Sequence, residues 1–362
     1  IVERQLAAGS STVTVATVSQ AETLVAWGCN DILIANEVVD LGGLTTIRRV
    51  VDDPAIRIRC FLDSIDGLDV AQQVFRDSGQ WLEVLVDVGV PGGRTGVRET
   101  RVALELCEAV AGAPGLRLVG VAGYEGIVPN SRNSQALDAV DSHSLRTRDT
   151  FLAASSMFET AEPVFSMGGS AYPDRVVHWM PTDADVSGTV RVIRSGCYVT
   201  HDHGTYAQVS PIVGLEAALS VHAVVLSTPE PGMAILGAGR RDLPYDSGLP
   251  VLIAAASNCG TPIDGAEGRV RTLYDHHAVL ESVTGLRVSD VVQLGISHPC
   301  SAFDRWSRVV AVSRDGHTLA YWPTAFDRTY GLGMHAASLE GGEMIGTTLT
   351  RWSRHALNAR QR

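Results

Sequence analysis

The stretch "GISHPCSAFDRW" (295–306) sets His298 and Cys300 two positions apart. On an extended segment, residues i and i+2 face the same side. An imidazole nitrogen and a thiolate sulfur placed this way can reach one ion, and that donor pair suits zinc. A lone His-x-Cys is weak evidence, because a free cysteine is most often simply a small buried hydrophobe. Two further histidine groups compete with it. "CYVTHDHGTY" offers Cys197, Tyr198, His201, Asp202 and His203, and "LYDHHAVLES" offers Asp275, His276 and His277. Adjacent histidines on a strand point to opposite faces, so only one of His276 and His277 enters a given site. The His201-x-His203 pair reads as ordinary, since nothing near it in sequence completes a metal shell.

Glycine-rich stretches point to a second kind of chemistry. In "MGGSAYPD", Gly168, Gly169 and Ser170 leave an apolar run and open a short helix-like turn. Free backbone N–H groups there, with the serine hydroxyl, would hold a phosphate; the competing reading is a tight strand-to-helix turn with no ligand. "DVGVPGGRTGVR" places Asp87 and Arg94 in a Gly-rich loop. There the guanidinium either meets an anionic cofactor or a substrate carboxylate, or lies on the surface as most arginines do. "GYEG" adds Tyr124 and Glu125.

These residues need elements to position them. Strand-like runs at 12–17, 31–36, 56–63, 81–89, 116–123, 163–167 and 188–194 alternate with helical periodicity near 19–28, 43–52, 66–79, 98–112 and 133–158. Such alternation implies a parallel sheet, either a barrel or a doubly wound sheet. A (β/α)8 barrel has eight strands and keeps its active site at their carboxyl ends, where the glycine-rich stretches fall. Seven strands are visible, and "IVERQLAAG" reads as the middle of a helix, so a first strand is expected to be missing from the chain. From about 209 the period shortens. "ALSVHAVVLST", "GMAILGAG", "PVLIAAA", "GRVRTLY", "HAVLESV", "DVVQLGIS" and the "RDGH" hairpin signal describe a β-domain that carries His298 and Cys300. The expected division is a β/α barrel over 1–208, a β-domain over 209–330 and a tail over 331–362 with no assigned role.

Composition removes several function classes. The net charge of -11 argues against a nucleic-acid partner, and no apolar run is long enough to span a bilayer. Six scattered cysteines in a large chain suit a reducing, cytoplasmic setting. All 29 basic residues are arginine. Arginine cannot act as an amine nucleophile, so no residue shown can form a Schiff base.

Together, "VTVATVSQAE", "DILIANEVVD", "DVGVPGGRTGVR", "GYEG", "GGSAY", "RSGCYVTHDHGTY", "PEPGMAILGAGRRDLPYDSGLP" and "GISHPCSAFDRW" resemble the fold-type III pyridoxal-phosphate (PLP) enzymes, the alanine racemase-like barrels. Within them the chain looks like the D-serine dehydratase and D-threonine aldolase group, nearest the bacterial amino acid deaminase branch. The resemblance runs from about residue 4 to 325. It implies an alanine racemase-like barrel with a C-terminal β-domain, and a catalytic lysine just upstream of Ile1. It implies a cofactor phosphate held by Gly168, Gly169, Ser170 and the backbone around Gly196, Cys197 and Tyr198. Arg94 and Tyr124 would line the cofactor or substrate side. His298 and Cys300 would bind a divalent metal, zinc by preference, with His277 close by as a catalytic residue. Asp275-His276 departs from the pairs common in the group. A homodimer is implied by the wider fold type.

The activity implied is PLP- and metal-dependent deamination of D-serine or D-threonine to a 2-oxo acid and ammonia. Retro-aldol cleavage to glycine and an aldehyde is the runner-up, which a carboxylate at position 300 would favour. A non-catalytic PLP-binding regulator stands as the alternative of another class.

Overall fold

A computed structural model of the chain describes residues 1–325, apart from 127 and 315. The tail expected over 331–362 lies outside the described residues. The first half runs α1 (Val2–Ala7), β1 (Val13–Val15), α2 (Val18–Ala26), β2 (Asp31–Glu37), α3 (Leu41–Val50), β3 (Arg57–Leu62) and α4 (Ile65–Phe75). It continues through β4 (Leu82–Val88), α5 (Thr100–Ala111), β5 (Leu116–Gly123), α6 (Ser134–Ala153), β6 (Val164–Met167), α7 (Pro173–Trp179) and β7 (Val190–Ile193). The seven strands pair in sequence order, all parallel, with β1 and β7 at the two edges. The seven strands counted from the alternation are all present, in one parallel sheet. Helix α6 stops at Ala153 and passes into a 3-10 turn at Ser155–Met157, short of the expected 158. Helix α7, read from sequence as no more than a turn, begins on Pro173, whose missing N–H costs nothing at a first helical position.

Side-chain caps start several of the helices. Thr17 accepts from the Gln20 amide, Asp40 from Gly43 at 2.6 Å and Asn133 from Ala136 at 2.8 Å. The strands then sort their residues by the period of two. Ile32 and Ile34 face outward, joining Leu44, Ile47 and Phe75 beneath the helices. Leu33 faces inward with Phe61, Leu85 and Val119. Strands β3 and β4 are buried on both faces, as central parallel strands must be. One charge is built into this layer: Arg59, 5% exposed, is shared by Asp31 and Glu83.

After helix α8 (Thr205–Val209) the chain becomes all-β. Strands β8 (Ser220–Ser227), β9 (Met233–Leu236), β10 (Val251–Ala256), β11 (Glu267–Leu273), β12 (Ala278–Thr284) and β13 (Val291–Gly295) close an antiparallel barrel in the order β10-β11-β12-β9-β8-β13. Its core is small and aliphatic, with Val225, Leu236, Leu280 and Leu294 fully buried. A separate ribbon pairs β14 (Arg308–Val312) with β15 (Thr318–Pro323) across the expected hairpin. Among the described residues, no helix is long and apolar enough to cross a membrane.

Candidate active site and metal centre

The turn read from sequence as a candidate phosphate site forms at the exits of β6 and β7. Ser170 Oγ accepts from the backbone amides of Gly196 and Cys197 at 3.3 and 3.1 Å. A hydroxyl and two neighbouring N–H groups thus converge on one spot, which is the donor set a phosphate needs. Gly169 plays a different part. Its N–H donates to Glu125 Oε1 at 2.7 Å, and its carbonyl accepts from Ser195 Oγ. Gly169 therefore holds the turn together, and Ser170, Gly196 and Cys197 remain as the donors. Glu125 is fully buried, and burial pushes its carboxyl up against the opposing pull of the Gly169 amide and Arg194.

Arg194 is a residue that sequence reading passed over. Its guanidinium donates to Ser166 Oγ and the Gly123 carbonyl, both at 2.6 Å, and it lies over the Phe61 ring at 5.4 Å. The available signal was its position directly before "SGCY", at the end of a barrel strand.

The β4–α5 loop presents Arg94. Thr95 Oγ1 donates to Asp87 Oδ2 at 3.1 Å, the Gly96 amide donates to Asp63 Oδ2 at 2.9 Å, and Arg98 donates to the carbonyls of Thr95 and Gly96. Gly96 has φ +96°, and a Cβ on it would run into the Gly89 backbone; only glycine fits there. The loop so held places the Arg94 guanidinium 4.5 Å above the Tyr124 ring, a cation–π contact. Arg94 and Tyr124 are thereby brought together on one wall.

Glu37, Asp63 and Asp87 gather where β2, β3 and β4 end. Burial first, and then the charges of Asp87 and Asp63, push the Glu37 carboxyl up to about 7. A carboxyl raised on folding contributes stability that is complete below its unfolded value, about 4.3, and lost as pH rises through its folded value. Glu37→Gln is therefore expected to flatten the loss of thermal stability between roughly pH 4.5 and 7, leaving the variant more stable than the parent at pH 8. Melting curves across that range check it; parallel pH profiles for the two proteins would remove Glu37 as the cause.

The metal candidates come from both halves of the chain. Cys197, His298 and Cys300 each offer a ligand atom, and the three lie within 4.8 Å of one another. The sulfurs of Cys197 and Cys300 are 3.6 Å apart, although 103 positions separate them. Segment 201–205 docks along the end of β13: the His203 and Thr205 amides each donate at 2.9 Å, to the carbonyls of Ile296 and Ser297. Gly204 allows this approach, because a Cβ there would stand 2.7 Å from the Ser297 oxygen. Tyr206 packs its ring 5.3 Å from that of His298. The thiols share their surroundings unequally. Hydrogen bonding with Cys300 first, and then with Tyr206 and Ser170 against the cost of burial, lowers Cys197 to about 6. The same contact holds the Cys300 thiol protonated. The thiolate is the form of cysteine that binds zinc.

The remaining candidates are outside this three-residue group, although Tyr198 and His201 line one pocket with Ser170 and Tyr206. His276 and His277 are exposed on the turn between β11 and β12. His276 Nδ1 faces Asp242 at 3.7 Å, and His277 is outside the three-residue cluster. Tyr198 is part-exposed and accepts from Gln5 at 2.8 Å. His201 and His203 also lie outside the cluster, and burial lowers the pKa of His203. The residue that sequence reading gave to the phosphate by its backbone, Cys197, also brings its sulfur to the metal group.

Comparison with known proteins matches this architecture in two pieces. Residues 1–178 match the family "Alanine racemase, N-terminal domain", and residues 218–312 match "Putative serine dehydratase domain". The chain is 28% identical over 326 residues to a D-threonine aldolase of Arthrobacter sp, covering 88% of this chain and 80% of that one. It is 28% identical over 254 residues to the D-threo-3-hydroxyaspartate dehydratase of Delftia sp. (strain HT23), covering 67% and 62%. The crystal structure of the D-threonine aldolase from Filomicrobium marinum superposes with a TM-score of 0.71 at 26% identity, over 89% of this chain and 83% of that one. Over most of its length the chain is thus similar to the fold-type III PLP enzymes of the group that contains D-serine dehydratase and D-threonine aldolase.

Proposed function

We propose that this protein is a PLP- and zinc-dependent lyase that deaminates β-hydroxy D-amino acids, D-serine or D-threonine, to a 2-oxo acid and ammonia. The observation that carries the reading is the thiol-rich group of Cys197, His298 and Cys300 beside the phosphate turn. Soft sulfur donors favour zinc, and an exposed Cys300 leaves the site open toward substrate.

Bound there, PLP supplies an electron sink at the substrate's Cα, and zinc supplies a Lewis acid for the departing β-hydroxyl. The chain's own residues do the rest. Ser170 and the amides of Gly196 and Cys197 anchor the phosphate. Arg94, set over Tyr124, gives a positive wall for the substrate carboxylate. His298 and Cys300 hold the metal from the β-domain side. The sequence has no lysine, so the reading requires the cofactor-bearing amine to come from outside it.

A second reading, retro-aldol cleavage, is favoured by the names of the aldolase relatives. One experiment separates the two. Protein from the full-length gene, supplied with PLP and zinc, is incubated with D-threonine. Equal amounts of 2-oxobutanoate and ammonia support the deaminase. Acetaldehyde with glycine would transfer the protein to the aldolase side, and cofactor binding with no product from any β-hydroxy D-amino acid would leave it a binding protein.

A further inference from the structure

We propose that Cys197 is a third protein ligand of the metal, so that two cysteines and one histidine form a centre bridging the barrel and the β-domain; this rests on the reading that His298 and Cys300 hold a metal.

The spacing of the sulfurs is the first argument. Zinc–sulfur bonds of about 2.3 Å in a tetrahedron put two thiolates about 3.8 Å apart. The observed separation of 3.6 Å is close to that value and far from the roughly 2.0 Å of a disulfide. No sulfur has to travel to meet a shared ion.

Rigidity is the second. Cys197 opens a 3-10 turn (Cys197–Val199), its amide is tied to Ser170, and its carbonyl accepts from the His201 amide at 2.7 Å. The thiol therefore projects from a fixed loop, and its position is set before any metal arrives.

His298 supplies the third. Its Nδ1 is buried with no hydrogen-bond partner among the described residues. Its Nε2 stands 3.9 Å from Asp246 Oδ2, and Asp246 is itself held by the Ser301 hydroxyl at 3.0 Å. A metal-binding imidazole commonly turns its far nitrogen to a carboxylate, which fixes the tautomer. Here Asp246 stands on the Nε2 side, beyond hydrogen-bond distance, and the partnerless Nδ1 is the atom left for the ion. A buried nitrogen without a partner is costly, and a metal removes the cost.

The consequence is chemical. Two thiolates and one imidazole balance the charge of a divalent ion and leave one tetrahedral position for substrate or water, as catalytic zinc sites do. Manganese and magnesium, which prefer oxygen donors, would be disfavoured. The ion would also fasten the loop that carries the phosphate donors to the β-domain.

Cobalt substitution tests this without relying on turnover. Metal-free, PLP-loaded protein is titrated with Co2+, and the sulfur-to-cobalt absorption in the near ultraviolet is read; zinc affinity is then measured by competition with a chromophoric chelator. The parent is expected to show the intensity of two thiolates. Cys197→Ser and Cys300→Ser should each retain about half of it. Zinc affinity should fall at least about tenfold in Cys197→Ser, with the cofactor absorbance retained. Cys197→Asp, which keeps a ligand but hardens it, should shift preference from zinc toward manganese. An unchanged cobalt band and zinc affinity in Cys197→Ser, beside a halved band in Cys300→Ser, would overturn the third ligand and leave the two-ligand reading standing. A parent that binds neither cobalt nor zinc would overturn the metal reading itself.

Discussion

Cys300→Ser is expected to lower lyase turnover about 10^2- to 10^4-fold, because a Lewis acid at the leaving oxygen is worth several kcal/mol and each 1.4 kcal/mol is a factor of about ten. The loss should fall on kcat, since the group helps the hydroxyl to leave and does little to hold the amino acid. The substitution is close to isosteric, and Cys300 is exposed, so folding should survive. Ser170 and its amides lie on the other half of the chain, and the cofactor's absorption should be unchanged. The matching variant His298→Gln removes the imidazole and should behave alike. The measurement is initial rate against substrate concentration, with zinc content from the same sample. Turnover within about threefold of the parent in a zinc-free Cys300→Ser protein would end the metal mechanism.

The second large effect concerns the cofactor. Ser170→Ala is expected to weaken PLP binding about ten- to a hundredfold, the value of one hydrogen bond to a charged group at about 1.5–3 kcal/mol. The side chain does two things at once: it offers its own hydroxyl, and it gathers the Gly196 and Cys197 amides toward one point. Removing it loses the first and loosens the second. At saturating PLP the rate should recover to within a few-fold, which separates a binding role from a catalytic one. Titration of the apoprotein by absorbance, with kcat read at each concentration, decides it. A dissociation constant that moves less than about threefold would place the phosphate elsewhere.

Much of this protein is written locally. The period-two pattern of "DILIAN" sends Ile32 and Ile34 to the helices and Leu33 to the barrel interior, and the structure keeps that division. Thr17, Asp40 and Asn133 announce their helices through capping geometry that spans only three residues. The Gly-Gly-Ser turn and the Arg94 loop were visible for the same reason: backbone freedom and donor groups are set by neighbours in sequence. His298 and Cys300 likewise share a face because an extended segment alternates sides.

Contacts between distant segments were not legible. No local rule says that Cys197, on a turn after β7, meets Cys300 across 103 residues, and sequence reading gave Cys197 to the phosphate through its backbone only. Nor does "HH" reveal which turn will be exposed; both histidines sit on the β11–β12 turn. Closure of the six β-strands into a barrel, and the docking of 201–205 against the end of β13, settle both points. Sequence determined the secondary structure, the glycine-rich turns and the His-x-Cys pair, because each depends on residues a few positions apart. Tertiary structure decided the approach of the Cys197 and Cys300 sulfurs, the nearness of Asp246 to His298 and the neighbours of Arg194, because these depend on packing segments far apart in sequence, and periodicity carries no information about that.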